Sequence, residues 1–367
     1  MPSRFDAPYM HWAKTRPEAR FDLAGSNVLA CTLDDLEGAR DVLTLTGRND
    51  NGFEPLVEAI ARHYQVGVAS VATAAGAAGA NFQACAALIE VGDDVLVERP
   101  VYDPLPGAAR LLGARIVSFE RSFESGFALD PDRVRAALTP RTRLIIVSSP
   151  HNPSSAVLDV DALLEVGRIA ETVGAYVLVD EVYLDATNSA LRPAATLGDR
   201  FISTSSLTKS YGLSSLRCGW VIAQPGVAER VRRARDVIDG NGSLPAERLA
   251  VLAFEQAGRL IQRARSLLAT NGRALRSFLH ASPDLEYTDP GGGTVVFPRI
   301  RGVADATPFV AELLAEHQTA VVPGHFFGMP AHFRIGIGGQ PETVAAGLAA
   351  IRTLLDARPS SAPAVHR

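Results

Sequence analysis

The sequence predicts an α/β protein: a mostly parallel seven-stranded sheet flanked by helices, with a smaller α+β domain. Between Val66 and Ala223, short β-branched runs alternate with helical stretches, which is the pattern of parallel strands joined by crossover helices. The runs at 144–147 and 176–179 are continuously apolar, as expected for strands covered on both faces. After Leu244 the pattern changes to long amphipathic helices and a few short strands.

The strands of the large sheet can be predicted one by one from their apolar runs. They are Val68–Thr73, Asp94–Glu98, Arg115–Phe119, Leu144–Ser148, Tyr176–Asp180, Phe201–Ser205 and Gly219–Ala223. We expect an N-terminal arm in residues 1–40, a large domain in 41–245 and a small domain in 246–357. Residues 358–367 are rich in Pro, Ser and Ala, which predicts a disordered tail.

Composition excludes several classes of protein. The 367 residues are 47% hydrophobic and 21% charged with a net charge of −4, and the arginines are interspersed with acids, so a nucleic-acid partner is not expected. Cys31, Cys85 and Cys218 lack the spacing of a disulfide framework or a zinc site, and no metal is predicted. Charged residues near the N-terminus and the absence of about 18 consecutive apolar residues predict neither a signal peptide nor a membrane span. We expect a cytoplasmic protein.

Lysine is rare in this chain. Of its 36 basic residues only Lys14 and Lys209 are lysines. An arginine side chain stays protonated, whereas a lysine amine can lose its proton and condense with a carbonyl group. Lys209, in the segment 205–212, is therefore a candidate Schiff-base lysine. The alternative is an ordinary surface lysine in a serine-rich loop.

Polar side chains follow three of the predicted strands, at the edge where a parallel sheet binds ligands. Asn152 follows the strand at 144–148, Asp180 and Tyr183 follow the strand at 176–179, and Ser206 and Lys209 follow the strand at 201–205. Because a carboxylate at the end of an apolar strand is costly without a partner, we expect Asp180 to face a cation. A protonated ring nitrogen would serve, and so would a nearby arginine.

Small residues also join a predicted strand to a helix at 71–81. Gly76, Ala77 and Ala78 would allow backbone N–H groups to approach an anion at the helix N-terminus. Ser206 and Arg217 would add a hydroxyl and a guanidinium suited to a phosphate. Close packing explains such a turn equally well, and the third glycine of a dinucleotide fingerprint is missing, which argues against an NAD-dependent dehydrogenase.

At this point the chain resembles a known family. The run 206–220 is similar to the coenzyme-lysine segment of the class I/II aminotransferases, which are fold type I pyridoxal-phosphate enzymes. Three further segments agree in order and spacing: 92–102, 149–153 and 179–183. The similarity extends from about Leu45 to Ile351. Four ordered motifs replace the separate alternatives for the individual residues.

The resemblance implies a role for each matching residue. Lys209 would hold pyridoxal 5′-phosphate as an aldimine and then move the α-proton, and Asp180 would pair with the ring nitrogen. Arg334 would grip the substrate carboxylate, unless it is simply a strand-edge arginine in an ion pair. The remaining implied contacts are Asn152 and Tyr183 with the ring oxygen, Tyr102 with the ring face, Gly76, Ala77, Ala78, Ser206 and Arg217 with the phosphate, and Gly25 and Asn152 with the substrate.

The chain departs from the family at several positions. Ser154-Ser155 stands where the family has Thr-Gly, and Ser215 stands where a glycine is common. The tyrosine that the family often has ahead of Gly52 is missing, and Arg48 or Asn51 would have to replace it. The predicted lining of the substrate pocket comes from loops and comprises Trp12, Gly25, Ser26, Asn241, Ser243, Thr294, His325 and Phe326.

The resemblance implies a homodimeric aminotransferase of amino acid metabolism, which moves the amino group of an L-amino acid to a 2-oxo acid. The alternative is another reaction of the same coenzyme on a free amino acid: elimination, racemisation or oxidation. A more remote one is a pyridoxal-phosphate-sensing domain of a transcription regulator, for which the sequence has neither a helix-turn-helix extension nor a basic DNA-facing stretch.

Overall fold

A computed structural model of the chain describes residues 6–187, 192–289 and 291–358. The predicted disordered tail, residues 358–367, lies outside these ranges except for Arg358. The helices are α1 Pro8–Thr15, α2 Glu54–Tyr64, α3 Gly76–Leu88, α4 Pro104–Leu111, α5 Pro131–Ala137, α6 Val160–Glu171, α7 Pro225–Ile238, α8 Leu244–Glu255, α9 Ala257–His280, α10 Thr307–His317 and α11 Pro341–Asp356. The strands are β1 Phe21–Asp22, β2 Val71–Ala75, β3 Asp94–Arg99, β4 Arg115–Glu120, β5 Thr142–Ser148, β6 Tyr176–Asp180, β7 Phe201–Ser206, β8 Cys218–Ile222, β9 Leu285–Glu286, β10 Val295–Val296, β11 Arg299–Ile300, β12 Thr319–Ala320, β13 Val322–Pro323 and β14 Phe333–Gly336.

The large sheet has seven strands in the order β2-β8-β7-β6-β5-β3-β4. Strands β3 to β7 run parallel to their neighbours within that group, and β8 is antiparallel to both β2 and β7. The predicted mostly parallel seven-stranded sheet is therefore confirmed. Its central strands are buried on both faces, packed between clusters of apolar side chains from the flanking helices.

The predicted start of the first strand is wrong. Val68–Ser70 forms a turn of 3₁₀-helix, and β2 begins at Val71. The physical reason is that the neighbouring strand β8 ends at Ile222, opposite Val71, so the earlier residues have no strand to pair with. Val68 is accordingly exposed.

Strands β5, β6 and β7 end at the same edge of the sheet. Ser148 lies opposite Asp180 across β5 and β6, and Asp180 lies opposite Thr204 across β6 and β7. The loops that follow these strands carry Asn152, Tyr183 and Lys209, which the register therefore brings to one place.

The second part of the molecule packs short strands against helices α9, α10 and α11 around its own apolar core. The N-terminal segment takes part in it, because β1 pairs with β12 and the Gly336 amide donates to the Leu23 carbonyl at 2.7 Å. A Cβ on Gly336 would collide with the Gly25 carbonyl. This close approach leads residues 24–27 to the edge of the large sheet. Within the described ranges, no helix is long and apolar enough to cross a membrane.

Candidate active site

A cavity of about 480 Å³ lies beyond the carboxyl ends of β5, β6 and β7, beside the N-terminus of α3. Gly76, Gly25 and Arg334 lie next to this cavity but not on its surface. The residues of its lining that were predicted from the sequence are Ala77, Ala78, Tyr102, Asn152, Asp180, Tyr183, Ser206, Lys209 and Arg217.

Lys209 presents its amine to the cavity from the loop after β7. The amine donates to Asn27 Oδ1 at 2.6 Å and to Ser26 Oγ at 3.2 Å. Burial lowers the pKa of Lys209 to about 8, and the positive charge of Arg334 adds to the effect while Asp180 opposes it. A substantial fraction of the amine is therefore neutral near pH 8, which is the form that attacks a carbonyl carbon.

Asp180 is buried at the end of β6. Its Oδ2 accepts from the Asn81 amide at 2.8 Å, and its Oδ1 accepts from the backbone N–H of Val182 at 3.2 Å. Burial raises the pKa of this carboxyl, while these two donors and Lys209 lower it. The arginine partner considered from the sequence is replaced by neutral donors, so the negative charge remains available to a cation in the cavity.

A continuous chain of hydrogen bonds connects Lys209 to Arg334. Ser26 Oγ accepts from Lys209 and from the Tyr183 hydroxyl at 3.0 Å. The Tyr183 hydroxyl in turn accepts from the Asn152 amide at 3.5 Å, and Asn152 Oδ1 accepts from Arg334 at 2.8 Å. These five side chains come from four separate parts of the chain, and burial raises the pKa of Tyr183 to about 12, which keeps this hydroxyl a donor.

Arg334 is fully buried on β14, with its guanidinium between the rings of Tyr9 and Phe327 at 5.5 and 5.3 Å. It donates to the Tyr9 hydroxyl at 2.9 Å and to the Ala24 carbonyl at 2.7 Å. All of its partners among the described residues are neutral, and its Nε has none. A buried cation without a counter-charge is a strong attractor for a carboxylate. The ion-pair alternative for Arg334 is therefore not what the fold provides.

The other end of the cavity is built to bind an anion. Helix α3 begins at Gly76, whose φ of 73° suits glycine, and a Cβ there would collide with the Arg217 guanidinium. Ala77, Ala78, Ser206 and Arg217 all face the same space. A helix N-terminus combined with a guanidinium and a hydroxyl is a suitable phosphate site.

Helix α1 closes the cavity on one side. Met10 and Lys14 line it, and the Tyr102 hydroxyl donates to Met10 Sδ at 3.1 Å. Both lysines of the chain thus face one cavity. Sequence reasoning missed the contributions of Tyr9, Lys14, Asn27 and Asn81. The rarity of lysine was a usable signal for Lys14, whereas nothing in the local pattern singled out the others.

The predicted lining from loops is only partly brought to this cavity. Ser26 takes part in the hydrogen-bond chain described above. Trp12 packs on Phe326 at 5.4 Å, away from the cavity surface. The other candidates lie elsewhere: Asn241 and Ser243 line a separate cavity of about 150 Å³, His325 and Phe326 line one of about 170 Å³, and Thr294 is buried.

The departures at 154–155 have a structural role. Ser154 Oγ pairs with His151 Nδ1 at 2.7 Å, and Ser155 adopts a φ of 65° where the family has glycine. Ser155 Oγ donates to the Val295 carbonyl at 2.7 Å, which offsets part of the strain of a left-handed residue. The loop that carries Asn152 is thereby attached to the second part of the molecule.

An amine of lowered pKa, an uncompensated carboxylate and an anion-binding helix terminus around one cavity fit pyridoxal 5′-phosphate, and together with the sheet they define a fold type I pyridoxal-phosphate enzyme. Residues 38–351 match the family model "Aminotransferase class I and II". The chain belongs to the class I and II aminotransferase family, and its coenzyme is pyridoxal 5′-phosphate.

Known proteins similar to the chain agree with this family. Capreomycidine synthase of Streptomyces vinaceus is 34% identical over 360 residues, which cover 94% of this chain and 92% of that protein. The structure of a PLP-dependent aminotransferase from Streptococcus suis is 27% identical with a TM-score of 0.90 and covers 96% of this chain and 98% of that chain. The structure of the PLP-dependent cyclase OrfR is 27% identical with a TM-score of 0.86 and covers 97% and 98%.

Proposed function

We propose that this aminotransferase moves the amino group of an L-amino acid to a 2-oxo acid, with Lys209 carrying the proton and Arg334 binding the α-carboxylate of both substrates. The observation that carries the proposal is the chain of hydrogen bonds from Lys209 to Arg334 beside Asp180. It places a base, a counter-charge for a ring nitrogen and a carboxylate receptor around one cavity.

The bound coenzyme would supply an electron sink for the α-carbon of the amino acid. Asp180 would pair with the ring nitrogen, Asn152 and Tyr183 would hydrogen-bond the ring oxygen, and Tyr102 would cover one face. The phosphate would be held by Ser206, Arg217 and the backbone N–H groups of residues 76–78.

Lys209 has two tasks that its lowered pKa suits. As a neutral amine it binds the carbonyl carbon of the coenzyme, and once the substrate amine has displaced it, it takes the α-proton and returns it at a second carbon. Ser26 and Asn27 hold the amine in place by accepting its hydrogen bonds. Because the pKa of Lys209 is about 8, the same group can accept and release a proton near neutral pH.

Arg334 would receive the substrate carboxylate through its partnered face. The Asn152 amide and the Tyr9 hydroxyl already touch the guanidinium, so an entering carboxylate would join or replace these neutral partners with a charge-assisted pair. Gly25, between Ala24 and Ser26, leaves room beside this site because it has no side chain.

A second candidate function is a cyclisation or other replacement on the amino acid side chain. Capreomycidine synthase, which is 34% identical to this chain, and the cyclase OrfR, which is 27% identical, are the observations that favour it. The same residues would bind the amino acid and remove its α-proton. The two reactions differ only in what leaves or bonds at the neighbouring carbon.

The deciding experiment adds single L-amino acids to the coenzyme-loaded protein without a 2-oxo acid. Transamination predicts a loss of the visible coenzyme band and release of one equivalent of the matching oxo acid, measured by mass spectrometry. Retention of the amino nitrogen in a ring product, or release of ammonia with recovery of the band, would favour the second candidate. The Arg334→Gln variant should raise KM for every active substrate about 10- to 100-fold, because it removes a charge-assisted pair.

We also propose that the protein is a homodimer, since aminotransferases of this fold are usually dimers. Leu45 and Val237 are 90% and 89% exposed. Their segments are neighbours, because Arg233 donates to Asn51 at 2.5 Å. A cluster of exposed apolar side chains is the kind of surface that a second subunit covers.

A further inference from the structure

Asp180 is held by a side chain that the proposed function has not used. Asn81, on α3, is buried and lines the cavity. Its Nδ2 donates to Asp180 Oδ2 at 2.8 Å, and its Oδ1 accepts from the Thr204 hydroxyl at 2.6 Å. We propose that Asn81 is a positioning residue that keeps Asp180 in its carboxylate form under the coenzyme ring, with Thr204 setting the orientation of the Asn81 amide.

The direction of the two hydrogen bonds supports this assignment. With the Thr204 hydroxyl donating to the amide oxygen, the amide nitrogen must face Asp180. A flipped amide would turn its oxygen toward Asp180, and two acceptors would then be in contact unless the carboxyl were protonated. The relay therefore has one arrangement that suits a carboxylate and another that suits a neutral acid. The observed arrangement is the one for a carboxylate.

Burial makes this discrimination effective. Thr204, Asn81 and Asp180 are 0%, 6% and 7% exposed, so water cannot readily replace a lost donor. Each carboxylate oxygen of Asp180 accepts one hydrogen bond, from Asn81 and from the Val182 amide. Since donors to a buried carboxylate favour its charged form, removing Asn81 would favour the neutral acid.

The position of Asn81 on α3 also connects the two ends of the coenzyme site. Ala77, Ala78 and Asn81 are three and four residues apart, hence on one face of the helix, and all three line the cavity. The rise between Ala77 and Asn81 is about 6 Å. One rigid helix therefore presents both the anion-binding N–H groups and the donor that holds Asp180.

The experiment measures the affinity of the apoprotein for pyridoxal 5′-phosphate between pH 5 and pH 8, for the wild type and for Asn81→Leu. Because the variant protonates Asp180 at higher pH, the ratio of the two dissociation constants should be close to one at pH 8. It should rise up to about tenfold toward pH 5, for a displacement of about one pH unit. Inorganic phosphate, which needs only the anion-binding end, should bind both proteins equally.

Matched variants separate positioning from distortion of the helix. Gln83 is a second buried amide of α3 at 1% exposure and does not contact Asp180. Gln83→Met should therefore give a ratio that does not change with pH. Thr204→Val should act in the same direction as Asn81→Leu but less strongly, and adding it to Asn81→Leu should have little further effect because both act through one hydrogen-bond relay. Asn81→Asp should have the largest effect, because two carboxylates would then meet.

A ratio that stays flat with pH in Asn81→Leu would overturn the inference, and so would an equal pH dependence in Gln83→Met. Thr204→Val preserves the shape of its site and gives the same test if Asn81→Leu does not fold. The inference depends on the coenzyme assignment, but its failure is separate. A wild type that takes up no coenzyme contradicts the proposed function itself, whereas a loaded wild type with an unaffected variant contradicts only the role of Asn81.

Discussion

Lys209 concentrates at one residue the chemistry that the many arginines of this chain cannot supply. Lys209→Ala should abolish the visible coenzyme band and reduce turnover by about 10²–10⁴-fold or more, because no other amine occupies its position. Absorbance and turnover measure this directly. Lys14→Ala, at the other lysine of the same cavity, should retain the band. A Lys209→Ala protein with a normal band would contradict the assignment.

The lowered pKa of Lys209 predicts a pH dependence of coenzyme uptake. With a pKa of about 8, the neutral fraction of the amine rises about fivefold between pH 7 and pH 8 and levels off above pH 9. The rate at which the apoprotein captures pyridoxal 5′-phosphate should follow the same curve in stopped-flow absorbance. Because Arg334 is one cause of the lowered pKa, Arg334→Gln should move the curve to higher pH. An unmoved curve would contradict this cause.

His332 makes the fold sensitive to acid. It is buried and stacked on Phe297 at 4.8 Å, and neither ring nitrogen has a hydrogen-bond partner among the described residues. Burial, aided by Arg299 and opposed by Glu124 and Glu286, lowers the pKa of His332 to about 4 from 6.5. The unfolded chain therefore binds a proton before the folded chain does as pH falls below 6.5. The free energy of unfolding should drop by about 2 kcal/mol between pH 7 and pH 5 from this group alone.

Urea unfolding of His332→Phe at the two pH values tests the point. The aromatic ring keeps the stacking while removing the titration, so the variant should lose less stability than the wild type on going from pH 7 to pH 5. Equal losses in the two proteins would show that His332 does not cause the sensitivity.

At the scale of elements, the strands were easier to predict than the N-terminal helix. Runs such as Leu144–Ser148 are apolar without interruption, because both faces of a central strand are covered. Helix α1 is eight residues long and is stabilised mainly by contacts of Tyr9 and Met10 with distant parts of the chain. Short helices of this kind depend on tertiary packing, so the sequence assigned residues 1–40 only to an arm.

Helix α1 predicts a dependence on substrate charge. Lys14 is exposed at the cavity, so it should attract an anionic side chain and repel a cationic one. Lys14→Gln should raise KM for acidic amino acids and lower it for basic ones by up to about fivefold, given about 1 kcal/mol for a close pair in water. Titration of the coenzyme band with amino acids of opposite charge measures this. The effect should shrink in high salt, and equal changes for both charges would contradict it.

At the scale of the whole molecule, the exposed apolar surface around Leu45 and Val237 predicts a dimer. The double substitution Leu45→Glu and Val237→Glu should give a monomer in size-exclusion chromatography with light scattering, because two charges would have to be buried at the interface. Val91→Glu is the matched control, since Val91 is 86% exposed at the start of the hairpin-free segment before β3. A wild-type monomer would contradict the proposal.

The sequence by itself determined the fold class, the large sheet, the family and the coenzyme. Continuous apolar runs can only be strands inside an α/β layer, and the motifs around Asn152, Asp180 and Lys209 stand directly after such strands. The domain boundaries remain predictions. Register then converts local order into proximity, because the carboxyl ends of parallel strands meet at one edge.

Only the tertiary structure decided which neutral side chains hold these charged groups. Asn81 reaches Asp180 across 99 positions, and Tyr9 reaches Arg334 across 325. Such contacts depend on how α3 lies against β7 and how the N-terminal segment passes β14, which no local pattern encodes. The two charged groups were recognisable because a charge in an apolar environment needs a partner, whereas the identity of a neutral partner is settled only by the packing that brings it within hydrogen-bond distance.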